Sequence, residues 1–154
     1  MLHFCPPRPG RSGRPRSVPS GSVPAADAAL TPAAYLRLRR CAAGLSIAAV
    51  AERIAPRIAD RSEARALVAL LETDGARARY AATLDRLAGA IPFHPAIYRQ
   101  LADDPADRHP RICRACGWSE ADRGNDPVDG PARTWATPAC CTACAGEAGA
   151  ELPR

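Results

Sequence analysis

Four cysteines in two C-x2-C pairs carry the strongest chemical signal in this sequence. Cys113 and Cys116 form the first pair, Cys141 and Cys144 form the second, and 24 residues separate the pairs. Two such turns supply the tetrahedral sulfur set that Zn²⁺ binds in zinc ribbons. Because four protein ligands leave no coordination position for water or substrate, the spacing predicts a zinc site with a structural and not a catalytic role.

Other ligand sets remain open. Cys140 directly precedes Cys141 and could replace it through a C-x3-C arrangement, although the two-residue spacer of the first pair favours Cys141. His109 lies four residues before Cys113 and is a further candidate donor. The cysteines could also be free or form disulfides. In a reducing compartment, however, paired C-x-x-C motifs indicate a metal.

The residues around the cysteines predict how the chain presents them. Gly117 follows the first pair and permits the positive φ that such a turn often needs. Glycine, proline, asparagine and aspartate between the pairs are typical of turns, so we expect one or two short hairpins there. Trp118 and Trp135 are the large apolar side chains available to cover the metal.

Upstream of the cysteines, the sequence predicts five short amphipathic helices. Thr31 before Pro32 is a helix start, Gly44 is a stop, Ser46 caps a second helix, and Pro95 begins the fifth. The fold class that follows is all-α, a five-helix domain with a small zinc-ribbon-like module. We expect these apolar residues to share a core: Leu38, Val50, Ile54, Leu67, Leu71, Leu84 and Leu87.

Composition divides the chain into four parts. Residues 1–29 are rich in proline, glycine, serine and arginine and predict a disordered basic arm, or sequence upstream of the true start. Residues 30–105 hold the helical pattern, and residues 106–145 hold the cysteines after a polar hinge. Residues 146–154 predict a flexible tail.

Charge and hydropathy limit the partners and the location. The net charge is +5, and the excess of arginine lies before the cysteine-rich part, so any nucleic-acid affinity belongs there. All 21 basic residues are arginine, and because of this compositional bias the presence of an arginine at a given position is weak evidence for a phosphate contact. No stretch approaches the roughly 20 apolar residues of a membrane span, and no secretory signal is evident. The expected location is the cytoplasm.

Residues 35–55, YLRLRRCAAGLSIAAVAERIA, resemble the first two helices of phage-repressor-like (XRE-type) helix-turn-helix domains. The matching residues are Leu36, Arg39, Gly44, Leu45, Ser46, Val50 and Ala51. The resemblance implies that a third helix, near residues 62–72, enters the DNA major groove. Two departures stand out. Ile47 occupies a position that is usually polar, and residues 56–65 are longer than the usual turn.

Residues 111–145 resemble the ends of small, mostly uncharacterised bacterial and phage proteins with a C-R-x-C-G start and a W-x-x-x-x-L-C-x-x-C finish. Trp118 stands where that family often has another cysteine, and Cys140 stands where leucine is usual. The resemblance implies a small metal-binding module and says little about activity.

Two functions are compatible with these features. The leading hypothesis is a small DNA-associated regulatory protein that contacts double-stranded DNA through five arginines. The alternative is a protein–protein adaptor, with a degenerate helix-turn-helix scaffold and a zinc module that binds a protein partner. No enzyme motif, small-molecule substrate or membrane contact is indicated. The candidate DNA contacts are Arg37, Arg40, Arg57, Arg61 and Arg65.

Overall fold

The computed structural model describes residues 29–123 and 132–149, and this part of the chain is mostly helical with one small antiparallel sheet. Residues 1–28 of the predicted arm, residues 124–131 of the turn-rich spacer and residues 150–154 lie outside the described residues. No helix within the described ranges is long and apolar enough to cross a membrane. The elements are α1 (Pro32–Ala42), α2 (Ile47–Ile54), α3 (Arg61–Leu71), α4 (Ala81–Ala88), α5 (Pro95–Asp103), β1 (Trp135–Thr137), β2 (Cys140–Cys141) and α6 (Thr142–Gly149).

Side-chain caps fix the first two helices where the sequence predicts them. The hydroxyl oxygen of Thr31 accepts a hydrogen bond from the Ala34 N–H at 3.1 Å, and that of Ser46 accepts from the Ala49 N–H at 3.0 Å. Each cap satisfies an amide that the first helical turn leaves without a partner. Gly44 ends α1 with a φ of +69°, a conformation that glycine adopts without strain.

The core forms where α1 to α5 meet, and it differs from the predicted core at two positions. Leu67 is 37% exposed, and Leu38 is only half-buried, whereas Leu36 is fully buried. For Leu38 the reason lies in α1, where the buried face of the helix continues through Arg39 and Arg40. A hydrophobic pattern that treats every arginine as exposed therefore places the buried face of α1 on the wrong residues. The large core side chains include Tyr35, Leu36, Val50, Val68, Leu84, Leu87, Ile91 and Tyr98.

The guanidinium of Arg40 forms a buried ion pair with the carboxylate of Glu72. Its Nε and Nη2 donate to the two carboxylate oxygens at 2.5 and 2.6 Å, and its Nη1 donates to the Leu45 carbonyl at 2.8 Å. Arg40 and Glu72 are 1% and 0% exposed. A DNA contact needs an exposed side chain, so this burial does not fit the candidate contact at Arg40. A buried arginine needs a paired carboxylate, and here the pair joins α1 to the end of α3.

α2 and α3 make the most extensive helix–helix contact, and the segment between them contains a 3₁₀ turn at Ile58–Asp60. The extra length predicted for this connection is thus one tight turn. Arginines tie the pair to α4 and its C-terminal loop: Arg53 donates to the Ala90 carbonyl at 2.9 Å, and Arg86 donates to the Ile54 carbonyl at 2.7 Å. The start of α3 remains at the surface.

Replacing Glu72 with alanine tests the Arg40 pair. We expect Glu72→Ala to lower the free energy of unfolding by about 3–5 kcal/mol, because it leaves a buried guanidinium without a counter-charge. Glu63→Ala is the matched control, since Glu63 is exposed on the same helix and should cost less than about 1 kcal/mol. Urea unfolding of the full chain followed by far-UV circular dichroism measures both. Equal costs would contradict this account of the pair.

Candidate metal centre

The first cysteine pair lies in a loop closed by an isolated bridge between Ile112 and Ser119. The Cys113 N–H donates to the Trp118 carbonyl, and the Gly117 N–H donates to the Cys113 carbonyl, both at 2.8 Å. Gly117 has a φ of +74°, as the sequence predicts. These bonds turn the backbone tightly enough to bring two thiols to one side.

The second pair is placed by the hairpin and the helix that follows it. β1 pairs antiparallel with β2, the turn at 138–139 connects them, and Cys141 ends β2. Cys144 lies on α6, which continues to Gly149. α6 thus extends into the first four residues of the predicted tail at 146–154. Three residues along a helix is close to one turn, so Cys144 lies on the side of α6 that Cys141 leads into.

The four sulfurs of Cys113, Cys116, Cys141 and Cys144 all lie within 4.8 Å of one another, and those of Cys116 and Cys141 are 3.7 Å apart. Tetrahedral coordination with metal–sulfur bonds of about 2.3 Å would place the sulfurs about 3.8 Å apart. Cys113 and Cys141 are buried, while Cys116 and Cys144 are half-buried. The cluster can hold a metal ion after small side-chain adjustments.

Neither alternative donor belongs to this cluster of four. The Cys140 thiol lies 3.5 Å from the Cys141 carbonyl oxygen, at the edge of the cluster. The Nε2 atom of His109 is 2.9 Å from the Asp104 carbonyl oxygen. Cys140 packs against the cluster, but its thiol is not among the four that lie within 4.8 Å of one another.

The thiols depend strongly on one another for their protonation. A hydrogen bond from the Cys116 thiol lowers the pKa of Cys113 to about 4, although burial acts in the opposite direction. The Cys141 N–H lies 3.4 Å from the Cys113 sulfur and also lowers this pKa. The same bond and burial raise the pKa of Cys116, and burial above all raises that of Cys144 to about 12. A metal cation must therefore displace protons here, so its binding weakens as the pH falls.

Two tryptophans and an arginine cover the cluster. Trp118 is 1% exposed, and its ring centroid lies 5.1 Å from that of Trp135 at an interplanar angle of 62°. The Arg111 guanidinium stacks 4.0 Å above the Trp135 ring and donates to the carbonyl oxygens of Thr137 and Pro138. The predicted role of the tryptophans as a cover is consistent with this packing, which excludes water from the sulfurs on that side.

The cysteine module packs directly on α1. A Cβ atom added at Gly117 would lie 2.8 Å from Cδ of Arg39 and 3.3 Å from Cβ of Leu38. Arg39 donates through Nη2 to Asp122 Oδ1 at 2.7 Å and through Nε to the Pro92 carbonyl at 2.6 Å. Both charged side chains are at least nine-tenths buried. Leu38 is half-buried because it faces this module and not the helical core.

Sequence reasoning missed Arg39, Asp122 and His94, whose Nε2 lies 3.2 Å from Asp122 Oδ1. One local signal was present: Ser119 and Asp122 form a capping box around a 3₁₀ turn, a Ser-x-x-Asp pattern. That pattern identifies the turn but not its partner, because Arg39 lies 83 residues away in the chain.

The five predicted DNA contacts separate into two groups. Arg37 and Arg40 both bind Glu72, and the Arg37 Nη2 donates to the Glu72 carbonyl at 2.7 Å. These two arginines hold the end of α3 in place, and Arg40 has no surface to offer to DNA. Arg37 remains about two-fifths exposed.

The other three arginines surround the start of α3. Arg57 pairs with Asp60 at 2.8 Å in an exposed position, and Arg61 lies 3.6 Å from Glu52. Arg65 is exposed and makes no ion pair with the residues that the structure describes. Of the five candidate contacts, these three place basic charge at the start of α3.

No protein-family model matches the chain, and neither the characterised proteins nor the solved structures compared with it include a match. Its function must be argued from the chemistry of its own surface and cysteine cluster.

Replacing single cysteines tests which thiols hold the metal. We expect Cys113→Ser and Cys144→Ser to lose a bound metal ion and to unfold residues 111–149, because an incomplete thiolate set binds far more weakly. Cys140→Ser is the control and should keep the metal. Metal analysis of the purified chains and a titration toward acid measure this, with release expected as the pH falls. Equal loss in Cys140→Ser would contradict the assignment to Cys141.

Replacing Gly117 with alanine tests the contact between the module and α1. The new Cβ would collide with Arg39, which its two hydrogen bonds prevent from moving. Gly44→Ala is the matched control, since Gly44 has a similar φ but nothing within 4 Å of the added atom. We expect Gly117→Ala to cost about 1–3 kcal/mol more in unfolding free energy. Equal thermal stability of the two variants would contradict this contact.

Proposed function

We propose that the chain is a small DNA-associated protein whose cysteine cluster holds one structural Zn²⁺. Four sulfur donors within 4.8 Å of one another suit zinc, which binds thiolates without a geometric preference of its own. The set leaves no open ligand position, and this supports a structural role. Bound zinc would fix Cys113 and Cys141 relative to each other, and with them the loop that carries Asp122 against α1.

The observation that carries the DNA proposal is the basic, exposed start of α3. Arg61 and Arg65 lie one turn apart there, next to Arg57 in the preceding segment. α3 packs closely on α2, as the second helix of a helix-turn-helix pair does when its N-terminal end approaches the major groove. The phage-repressor-like resemblance of residues 35–55 agrees with this proposal.

The contacts would be mainly with the DNA backbone. Base reading needs a row of hydrogen-bonding side chains along the exposed face of the helix, and α3 presents Ala66, Leu67 and Leu70 there instead. Arginine–phosphate contacts are independent of sequence and weaken with salt. We therefore propose binding with little sequence preference.

One observation favours the adaptor hypothesis as the second candidate. Leu67 and Leu70 are 37% and 58% exposed on α3, and Ile58 is 80% exposed in the preceding turn. Exposed apolar side chains at helical spacing are typical of surfaces that contact proteins. On this hypothesis the same helix faces a protein, and the arginines surround that contact.

Neutralising Arg61 and Arg65 together tests the DNA proposal. We expect Arg61→Gln/Arg65→Gln to weaken binding to two unrelated duplexes alike and to lower the slope of log K against log salt by roughly two, about one unit for each lost phosphate contact. Arg108→Gln/Arg114→Gln removes the same charge at exposed positions away from α3 and should lower the slope much less. Fluorescence anisotropy at several salt concentrations measures both.

Two outcomes would contradict the proposal. Absence of binding to any duplex at low salt would favour the adaptor hypothesis, with the exposed leucines as its contact surface. Tight binding to one duplex only would show that α3 or the 3₁₀ turn before it reads bases.

A further inference from the structure

A second basic surface lies away from the start of α3, in a shallow cleft between α5 and the segment that leads into α4. The cleft measures about 290 Å³, and three arginines line it: Arg77, Arg79 and Arg99. All three are exposed, and none makes an ion pair or hydrogen bond with the residues that the structure describes. Asp103 is the one carboxylate among the lining residues, so the cleft has a net positive charge.

These arginines differ from most others in the helical domain. Arg37, Arg40, Arg53 and Arg86 all donate hydrogen bonds that hold helices or loops together. The helical domain thus uses arginine to connect its elements, whereas the three arginines that line the cleft have no described partner. Because like charges repel, an anion between these groups would lower the free energy of the arrangement.

A hydrogen-bond donor and an aromatic ring complete the cleft. Tyr98 lines the cleft and is 1% exposed, and its hydroxyl oxygen accepts from the Ala78 N–H at 3.1 Å, so its own proton remains available to donate. Burial raises the pKa of Tyr98, so this proton stays in place at neutral pH. At the rim, Tyr80 is 73% exposed and offers a ring face.

We propose that this cleft binds the phosphate group of a nucleotide, with the base stacked on Tyr80. Arginine suits phosphate because its planar guanidinium donates two parallel hydrogen bonds. The cleft is large enough for a phosphate and part of its sugar but not for a duplex. An aromatic ring beside a basic cleft is the combination that holds an unpaired nucleotide. This inference does not rest on the DNA proposal, because it uses none of the arginines around α3.

Calorimetric titration of the full, metal-loaded chain tests the site. Adenosine 5′-monophosphate and guanosine 5′-monophosphate should both bind, adenosine should not bind detectably, and inorganic phosphate should bind more weakly than the nucleotides. Arg77→Ala, Arg79→Ala and Arg99→Ala should each weaken nucleotide binding about tenfold, the usual effect of one charge-assisted bond. Arg108→Ala is the matched control, because Arg108 is exposed and belongs to neither basic surface, and it should bind the nucleotides unchanged.

Tyr80 separates stacking from charge. Tyr80→Ala should weaken binding of the monophosphates several-fold while leaving inorganic phosphate unaffected, and Tyr80→Phe should restore nucleotide binding. Because these side chains are exposed, thermal midpoints near that of the unmodified chain will show that each variant is folded.

Three results would overturn the proposal. The first is no heat of binding with either monophosphate at millimolar concentration. The second is equal nucleotide affinity in the chain that lacks all three arginines. The third is a combined result, in which the unmodified chain binds duplex DNA but no monophosphate, and the triple variant no longer binds the duplex. That result would assign these arginines to a DNA-binding surface. Failure of the Arg61/Arg65 experiment would leave the nucleotide result unaffected.

Discussion

The buried pair of Arg40 and Glu72 is the interaction on which the helical domain depends. It joins α1 to the end of α3 and, through the Leu45 carbonyl, to the turn before α2. Three elements of the core are therefore held by one guanidinium that uses most of its donors. Such a pair contributes little net stability compared with apolar packing, but it strongly disfavours arrangements that separate its charges. It thus fixes which way α3 faces.

The neighbouring residue, Arg39, extends the same principle to the cysteine module. Adjacent residues on a helix point about 100° apart, so α1 can direct one arginine into the helical core and the next toward Asp122. The module consequently packs on α1 as a covering layer. A metal that orders the cysteine loops also orders the surface against which Leu38 and Arg39 pack, which couples metal binding to the stability of the helical domain.

The division of arginines has consequences for function. Those that bind carbonyls or buried carboxylates are part of the architecture, and only the remaining ones can meet a ligand. Among the described arginines of the helical domain, two such groups stand out: one around the start of α3, beside exposed leucines, and one in the cleft with Tyr80 and Tyr98. In a chain without lysine, composition alone cannot make this distinction, because every basic residue is of the same type.

The sequence by itself determined the helix starts at Thr31 and Ser46, the turn at Gly117 and the two cysteine pairs, because each depends on contacts within a few residues. It also placed most of the core, since helical periodicity is local. Only the tertiary structure decided that Arg39 and Arg40 face inward and that Arg77, Arg79 and Arg99 share a cleft. Their partners lie tens of residues away in the chain. Whether a charged side chain is buried is decided by the distant group that pairs with it, and no local pattern encodes that group.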